Sequence, residues 1–271
     1  MVGPQPAIPC PAAGDGSMTE HSRLSRTWPL YALSLICGLI VWELIAAQFS
    51  KVVLSPPTAV ARHLYVHTIT LELPRLLWAS LGHTFLGYGI AVAVAVPLGF
   101  LMGRSERAFA MFDPIVNAIY SIPTIAFVPF LVIWFGLFFA ARTALVFIMC
   151  IFDILVTVSA GARNVERNLM DVGRAFGAAR WDLFRKVLLP ASLPFLFTAL
   201  RIGMVRAVIA MITAELFFAA VNLGRYMQAA QNRFDSAGLL AVLTILAVVG
   251  LLAQEGLKAL ETRLLPWHVR H

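Results

Sequence analysis

Residues 171–190 read DVGRAFGAARWDLFRKVLLP, and this stretch differs from the sequence on either side of it. Long apolar runs flank it, whereas the stretch itself mixes six charged side chains with three large aromatic ones. Gly177 interrupts it, and glycine readily takes the backbone conformation of a tight turn. We therefore predict a helix–turn–helix, with Asp171 at the N-cap or in the first turn of its first helix.

The second of these helices is predicted to begin at Ala178 and to end at Pro190, because proline cannot continue a helix that reaches it. Trp181, Phe184 and Leu188 fall on one face at helical spacing, with basic side chains elsewhere. Such a face can lie among lipid headgroups or dock into a groove of a protein partner. Composition leaves both alternatives open.

The composition of the whole chain indicates a membrane protein. Of its 271 residues, 60% are hydrophobic and 13% are charged, against about 25% charged in an ordinary soluble domain. The net charge of +7 comes from basic residues between apolar runs, which is typical of cytoplasmic loops rather than of a nucleic-acid surface. The three cysteines have no short spacing and predict neither a disulfide framework nor a metal motif.

Six apolar stretches are long enough to cross a bilayer, which takes about 20 residues as helix. They cover residues 28–49, 81–102, 116–137, 143–161, 194–219 and 238–255. The third contains Pro123 and Pro129, so it is either a broken helix that lines a path or a kinked helix at a packed interface. Residues 1–27 are expected to be a flexible tail, with Met18 as an alternative start, and 269–271 a second tail.

The basic residues also predict the orientation of the chain. With the N-terminus in the cytoplasm, thirteen of the 21 Lys and Arg fall inside and six fall outside. The positive-inside rule therefore favours six spans with both termini inside. This orientation places residues 163–193 in the cytoplasm.

Residues 53–80 are too mixed to cross the bilayer, and we predict a short helix on the outer surface there. His63 and His67 are four residues apart, so they share a helix face and are a candidate metal pair. The alternative is two surface histidines without a metal, since no zinc-protease glutamate follows His63. The sequence favours this alternative.

Ionisable residues at membrane depth are costly and therefore candidates for function. Asp153, Arg201, Arg206 and Glu215 fall inside predicted spans, whereas Glu43 and Asp113 lie near span ends. One interpretation is an anion path lined by arginine. The other is a set of structural ion pairs between spans, with Asp153 as the partner of Arg201 or Arg206.

The spacing in residues 171–190 resembles the cytoplasmic signature of bacterial ABC importer permeases: E-A-A, three residues, G, nine residues, I-x-L-P. Residues 171–173 stand at the E-A-A positions, Gly177 at the glycine, and Val187, Leu189 and Pro190 at I-x-L-P. Asp replaces Glu, and Val-Gly replaces Ala-Ala. Further stretches are similar to the nitrate, sulfonate and taurine branch of this family; they cover 53–60, 79–99, 112–136, 214–227 and 264–268.

The resemblance implies an all-α protein of the bacterial inner membrane, with the type I ABC importer permease fold over residues 28–268 and no enzymatic activity. It also implies a second permease subunit as a homodimer, two ATPase subunits and a periplasmic or lipid-anchored substrate-binding protein. The contact to the ATPase is expected at Asp171, Gly177, Trp181, Phe184, Val187, Leu189 and Pro190. ATP and Mg²⁺ are expected in the ATPase, because this chain has no phosphate-binding G-x-x-x-x-G-K-[ST] loop.

By the same resemblance, the solute is small and anionic or zwitterionic, such as a sulfonate, taurine or nitrate. A pyrimidine vitamin precursor is the alternative within the family. From another class, an ion-gradient-driven secondary transporter would require repeated halves or a midplane ion site, and no clear repeat links the two halves of the sequence.

Overall fold

The computed structural model describes residues 19–50, 52–165, 167–218 and 221–265. The described residues are helical throughout apart from short connections, and they contain no β-strand. The helices are α1 (Thr19–Gln48), α2 (Pro57–Ile69), α3 (Glu72–Arg104), α4 (Glu106–Tyr120), α5 (Val128–Phe135), α6 (Phe139–Arg163), α7 (Arg167–Ala175), α8 (Arg180–Leu183), α9 (Leu189–Phe217), α10 (Asn222–Asn232) and α11 (Ser236–Leu264). A 3₁₀ turn, Thr124–Phe127, precedes α5, and a π-helical turn, Phe184–Leu188, joins α8 to α9.

The prediction of an all-α membrane protein is confirmed. Five described stretches are long and apolar enough to span a bilayer, and α4 with the 3₁₀ turn and α5 makes a sixth if this bent pair counts as one span. The five are Leu30–Gln48, Glu72–Arg104, Phe139–Arg163, Trp181–Phe217 and Ser236–Leu264. Five of the six predicted spans thus overlap these five stretches, and the third overlaps the bent pair.

The chain divides into two compact units, residues 1–58 and 59–271. In the first unit, α1 begins at Thr19, ahead of the predicted start of the first span at residue 28. Residues 1–18 of the predicted tail lie outside the described residues, as do residues 266–271. The Glu43 carboxylate caps the start of α2 by accepting hydrogen bonds from the Thr58 hydroxyl at 2.8 Å and the Thr58 backbone N–H at 3.3 Å.

The second unit is built around α6, which packs between α3 and α9. Small residues recur every four positions along α3, at Gly87, Ala91, Ala95 and Gly99, and all are buried. A Cβ atom added at Gly87 would lie 2.6 Å from the Thr143 carbonyl oxygen of α6. The missing side chains therefore let the two backbones approach closely, which is how helices associate in lipid.

The second span begins earlier than predicted, because α3 starts at Glu72 rather than at residue 81. Pro74 did not prevent this, since a proline in the first turn of a helix removes no hydrogen bond that the helix would make. The predicted surface segment, residues 53–80, is thus divided between the separate helix α2 and the first turns of α3.

The third predicted span is a broken helix and not a kinked one. α4 ends at Tyr120, and the chain then bends by 87° before continuing through the 3₁₀ turn into α5. Pro123 causes the break, because its extended backbone (ψ 118°) cannot continue a helix. Pro129 causes none, since it lies in the first turn of α5.

The prediction that Pro190 ends a helix is wrong. The chain stays helical from Arg180 to Phe217, and Pro190 lies in the first turn of α9. The reason is the π-helical turn, in which the Leu189 backbone N–H bonds to the Phe184 carbonyl five residues back. Such a wider turn accommodates Pro190, which has no backbone N–H and would otherwise interrupt the backbone hydrogen bonds of the helix.

Candidate functional site

Residues 171–190, together with the start of α7, form a knob, defined here as residues 167–190. α7 ends in a turn at Phe176 and Gly177, and Gly177 has a φ of +75°. The Ala178 N–H bonds to the Gly173 carbonyl at 3.1 Å, and the Gly177 N–H bonds to the Arg174 carbonyl at 2.9 Å. These two bonds form the Schellman motif that closes a helix at a left-handed glycine. The predicted helix–turn–helix is therefore present.

One side of the knob is anchored in the core. Leu183 and Leu188 are buried, and half-buried Phe184 packs its ring edge-on against Phe100 of α3, with the ring centroids 5.6 Å apart. Val187 and Leu189 pack against the same core cluster. This contact fixes the orientation of the knob on the helical bundle.

The other side of the knob is exposed and apolar at its centre. Phe176 is 87% exposed and Trp181 is 67% exposed, and Val172 is also exposed. Two exposed ion pairs flank these side chains: Asp171 with Arg174 at 2.9 Å, and Asp182 with Lys186 at 2.8 Å. Exposed apolar side chains with a charged rim are typical of a surface that another molecule covers.

The structure divides the predicted contact residues between these two sides. Asp171, Gly177 and Trp181 are exposed, whereas Phe184, Val187, Leu189 and Pro190 are half-buried. Asp171 is the fifth residue of α7 and not its N-cap, because α7 begins at Arg167. Phe176 was not among the predicted contacts, although its place next to the turn glycine is a sequence signal for exposure.

The four ionisable residues predicted at membrane depth have separate partners. Arg206 of α9 donates from Nε to Asp153 of α6 at 2.8 Å, which selects one of the two predicted partners. Arg201 pairs instead with Glu261 of α11. Glu215 is fully buried and accepts hydrogen bonds from Asn222 Nδ2 at 2.9 Å and the Gly224 N–H at 3.1 Å, so it caps the start of α10.

Two of these four residues, Asp153 and Arg206, line a cavity at the broken helix. The cavity, of about 280 Å³, is bounded by residues 119–124 on one side and by the Asp153–Arg206 pair on another. The Tyr120 hydroxyl donates to Asp153 at 2.7 Å and so joins the break to the ion pair. Arg201 and Glu215 do not line it. The sequence suggested the broken helix and the ion pair separately, but not their contact.

A second, larger cavity of about 1210 Å³ lies at the opposite end of α3 from the knob. Arg75, Arg225 and Arg233 line it together with His63 and His67. The two histidine rings stack with centroids 4.3 Å apart, as their shared helix face predicts. Among the described residues, no group of three or more His, Cys, Asp or Glu is arranged to hold a metal ion.

The histidines make hydrogen bonds to their neighbours. His63 Nε2 lies 2.6 Å from the Tyr226 hydroxyl of α10, and His67 Nδ1 lies 2.7 Å from a Glu72 carboxylate oxygen. Burial lowers the pKa of His63, and the neighbouring His67 lowers it further. Burial also raises the pKa of Tyr226 to about 12. His63 therefore links α2 to α10, and His67 links α2 to the start of α3.

Comparison with known proteins gives a consistent result. The family model described as "binding-protein-dependent transport system inner membrane component" matches residues 95–265. The taurine transport system permease protein TauC of Escherichia coli (strain K12) is 31% identical and covers 92% of this chain and 95% of its own. The formylaminopyrimidine transport permease protein ThiX of Halalkalibacterium halodurans is 28% identical over 84% of this chain and 92% of its own.

The chain is also similar to a nitrate import permease and to a solved methionine transporter. The nitrate import permease protein NrtB of Leptolyngbya laminosa is 29% identical over 70% of each chain. A structure of the MetNI methionine ABC transporter in an inward-facing conformation aligns with a TM-score of 0.64 at 22% identity. It covers 72% of this chain and 97% of that chain, and at this identity it shows the fold alone.

Proposed function

Since the chain belongs to the family of binding-protein-dependent transport system inner-membrane components, we propose that it forms half of an importer pore and couples to a separate ATPase through the knob. Its relatives are permease subunits of ABC importers for small solutes, so the chain is a transport subunit and a multi-pass membrane protein. Permeases of this class work with an ATPase and a substrate-binding protein. ATP and Mg²⁺ are expected in the ATPase chain.

The exposed side of the knob carries this proposal. Phe176 and Trp181 are large, exposed apolar side chains on a segment that also carries two exposed ion pairs, and Trp181 is held by stacking on Phe184, while Leu183 and Leu188 are buried in the core. A rigid aromatic surface of this kind can dock into a groove of a partner protein. Because the knob continues directly into α9, a movement of the partner would be passed to that helix. Phe184, Val187, Leu189 and Pro190 would transmit the force rather than contact the ATPase.

The alternative is that the aromatic side chains lie among lipid headgroups. Family membership favours a protein partner, since an importer of this class needs a contact between permease and ATPase. Family membership likewise favours ATP over an ion gradient as the source of energy, which speaks against the secondary transporter.

Truncation of the aromatic pair tests the coupling. We expect Trp181→Ala and Phe176→Ala to reduce co-purification of the cognate ATPase and to lower ATP-dependent uptake in proteoliposomes by tenfold or more, as for central interface aromatics. Trp78→Ala and Phe234→Ala serve as matched controls, because both side chains are exposed but lie outside the knob. Full assembly and full uptake in both knob variants would refute the proposal.

For the solute, we propose a small anionic or zwitterionic compound of the sulfonate, taurine or nitrate kind. Its support is the similarity to TauC and NrtB together with the Asp153–Arg206 pair at the cavity. The similarity to ThiX keeps a pyrimidine vitamin precursor as the second candidate. We also propose that the second pore subunit is another copy of this chain, which tagged and untagged copies recovered in one complex would test.

A further inference from the structure

The cavity at the broken helix contains one acidic and one basic side chain at membrane depth. Asp153 lies in the middle third of α6, and Arg206 lies in the middle third of α9. Ionised groups at this depth are costly unless they are paired, and they often mark the route of a solute. The 2.8 Å contact between them makes the cavity electrically neutral.

The two members of the pair are held differently. The Asp153 side chain is 9% exposed, and its oxygens accept from Arg206 Nε and from the Tyr120 hydroxyl. The Arg206 side chain is 45% exposed and lines the cavity. A guanidinium has five N–H donors in a planar fork, so its contact to Asp153 leaves donors for a second acceptor. Arg206 is thus available to an anionic group that enters the cavity.

The charge balance then discriminates between classes of solute. A simple anion at Arg206 would compete with the Asp153 carboxylate and leave an uncompensated negative charge, which is strongly unfavourable where water is scarce. A zwitterion avoids this, because its anionic group can meet Arg206 while its ammonium group meets Asp153. Every charge then keeps a partner.

We infer that this cavity selects a small zwitterion, with its anionic group at Arg206 and its ammonium group at Asp153, over the corresponding simple anion. The inference rests on the proposed function as a solute importer and names the class of its substrate. The volume of about 280 Å³ is at the lower end of small-molecule sites, which suits a chain of a few carbon atoms. Ser121 and Thr124 also line the cavity.

The test compares two probes that differ only in the cationic group. Taurine is a zwitterion, and isethionate carries a hydroxyl in place of its ammonium. Equilibrium binding of each radiolabelled probe to the purified permease–ATPase complex, without binding protein, measures the selectivity of the permease itself. We expect taurine to bind at least tenfold more tightly than isethionate, since hydrogen bonds to charged groups have about this effect.

Variants assign this preference to the pair. We expect Asp153→Asn to weaken taurine binding about tenfold or more while leaving isethionate binding unchanged or stronger, and Arg206→Gln to weaken both. Asp113→Asn is the matched control, because Asp113 does not line this cavity, and it should keep the wild-type preference. The double variant Asp153→Asn with Arg206→Gln removes both charges together and should remain folded but bind neither probe.

Equal binding of the two probes, a preference unaffected by Asp153→Asn, or no binding of either probe would overturn the inference. ATP-driven uptake by the same wild-type preparation, with its cognate binding protein, is measured in parallel. This measurement distinguishes failure of the inference from failure of the proposed function. Uptake without selective binding would reject the zwitterion site alone. Absence of uptake would reject the importer itself.

Discussion

A single backbone torsion angle, the φ of +75° at Gly177, lets the chain reverse between the two helices of the knob. A Cβ atom at this position would meet no heavy atom within 4 Å, so the requirement for glycine is conformational and not steric. Side chains with a Cβ atom disfavour the left-handed region by about 1–2 kcal/mol, and asparagine tolerates it best.

We therefore predict that Gly177→Ala loosens the knob while Gly177→Asn largely preserves it. Hydrogen exchange of the backbone amides of residues 174–178 measures this, because strain in the turn opens the hydrogen bonds that close α7. Protection should fall for the alanine variant and stay near wild type for the asparagine variant. Equal protection in the two variants would show that the turn does not depend on its left-handed glycine.

His63 gives the protein a predictable response to pH. Its pKa is lowered from 6.5 in the folded state, mainly by burial and also by His67, while Asp235 and Glu72 act in the opposite direction. The unfolded chain therefore binds more protons just below pH 6.5. The free energy of unfolding must then decrease as the pH falls from about 6.5 towards the folded pKa.

This pH response is measurable by thermal unfolding in detergent between pH 7.5 and 5. We expect His63→Gln to lose less stability than the wild type over that interval, because it has no imidazole to protonate. Tyr226→Phe keeps the imidazole but removes its hydrogen-bond partner, so its stability should still fall with pH. Identical pH profiles for wild type and His63→Gln would contradict this account.

The contact between α3 and α6 shows most clearly how the sequence determines the packing of two helices. Gly87 lies against the Thr143 carbonyl and Val146, whereas Gly89 of the same helix has no heavy atom within 4 Å of its absent Cβ. We predict that Gly87→Ala destabilises the protein by about 1–3 kcal/mol through overpacking.

Gly89→Ala is the matched control for the packing prediction, since it adds the same methyl group two residues away without a clash. Its effect should be neutral or slightly stabilising, as alanine favours a helix more than glycine does. Thermal or denaturant unfolding in one detergent compares the two variants. Equal stability of Gly87→Ala and Gly89→Ala would show that α3 and α6 do not pack through the glycine.

The sequence predicted which segments are helices better than where they begin and end. Apolar run length located the five single-helix spans and the bent pair of α4 and α5, but it started the second span at residue 81 because polar Glu72 and Arg75 interrupt the apolar pattern in the first turns of α3. Proline was the ambiguous signal. Pro123 breaks a span while Pro190 does not, and the difference lies in the π-helical turn before Pro190, which side-chain patterns do not encode.

For the candidate site, spacing within one segment predicted its local structure, whereas contacts between segments could not be predicted from the sequence. The positions of Gly177 and Pro190 predicted the knob, but not that Phe184 packs against Phe100 while Trp181 stays exposed. Asp153 had two predicted arginine partners, because their spacing along one helix does not determine which of them faces α6. Its contact with Tyr120 depends on the 87° break and could not be predicted from the chain alone.

In the whole molecule, three features are arranged along the helical bundle. The knob lies at one end of α3, the Asp153–Arg206 cavity lies at the middle of α6 and α9, and the cavity lined by three arginines lies at the other end of α3. With the predicted orientation, a solute would enter at the arginine-lined end and the ATPase would act at the knob. Movement of the knob would reach the central cavity directly, because α9 is continuous from one to the other.

Site-specific photo-crosslinking can establish whether the knob contacts the ATPase. A benzoylphenylalanine placed at Phe176 of the assembled transporter should yield a covalent adduct between permease and ATPase. The same probe at Phe234, which is also exposed but lies between α10 and α11, should yield none. An adduct from position 176 alone is the predicted result; no ATPase adduct from position 176, with crosslinks only to lipid, would contradict the account.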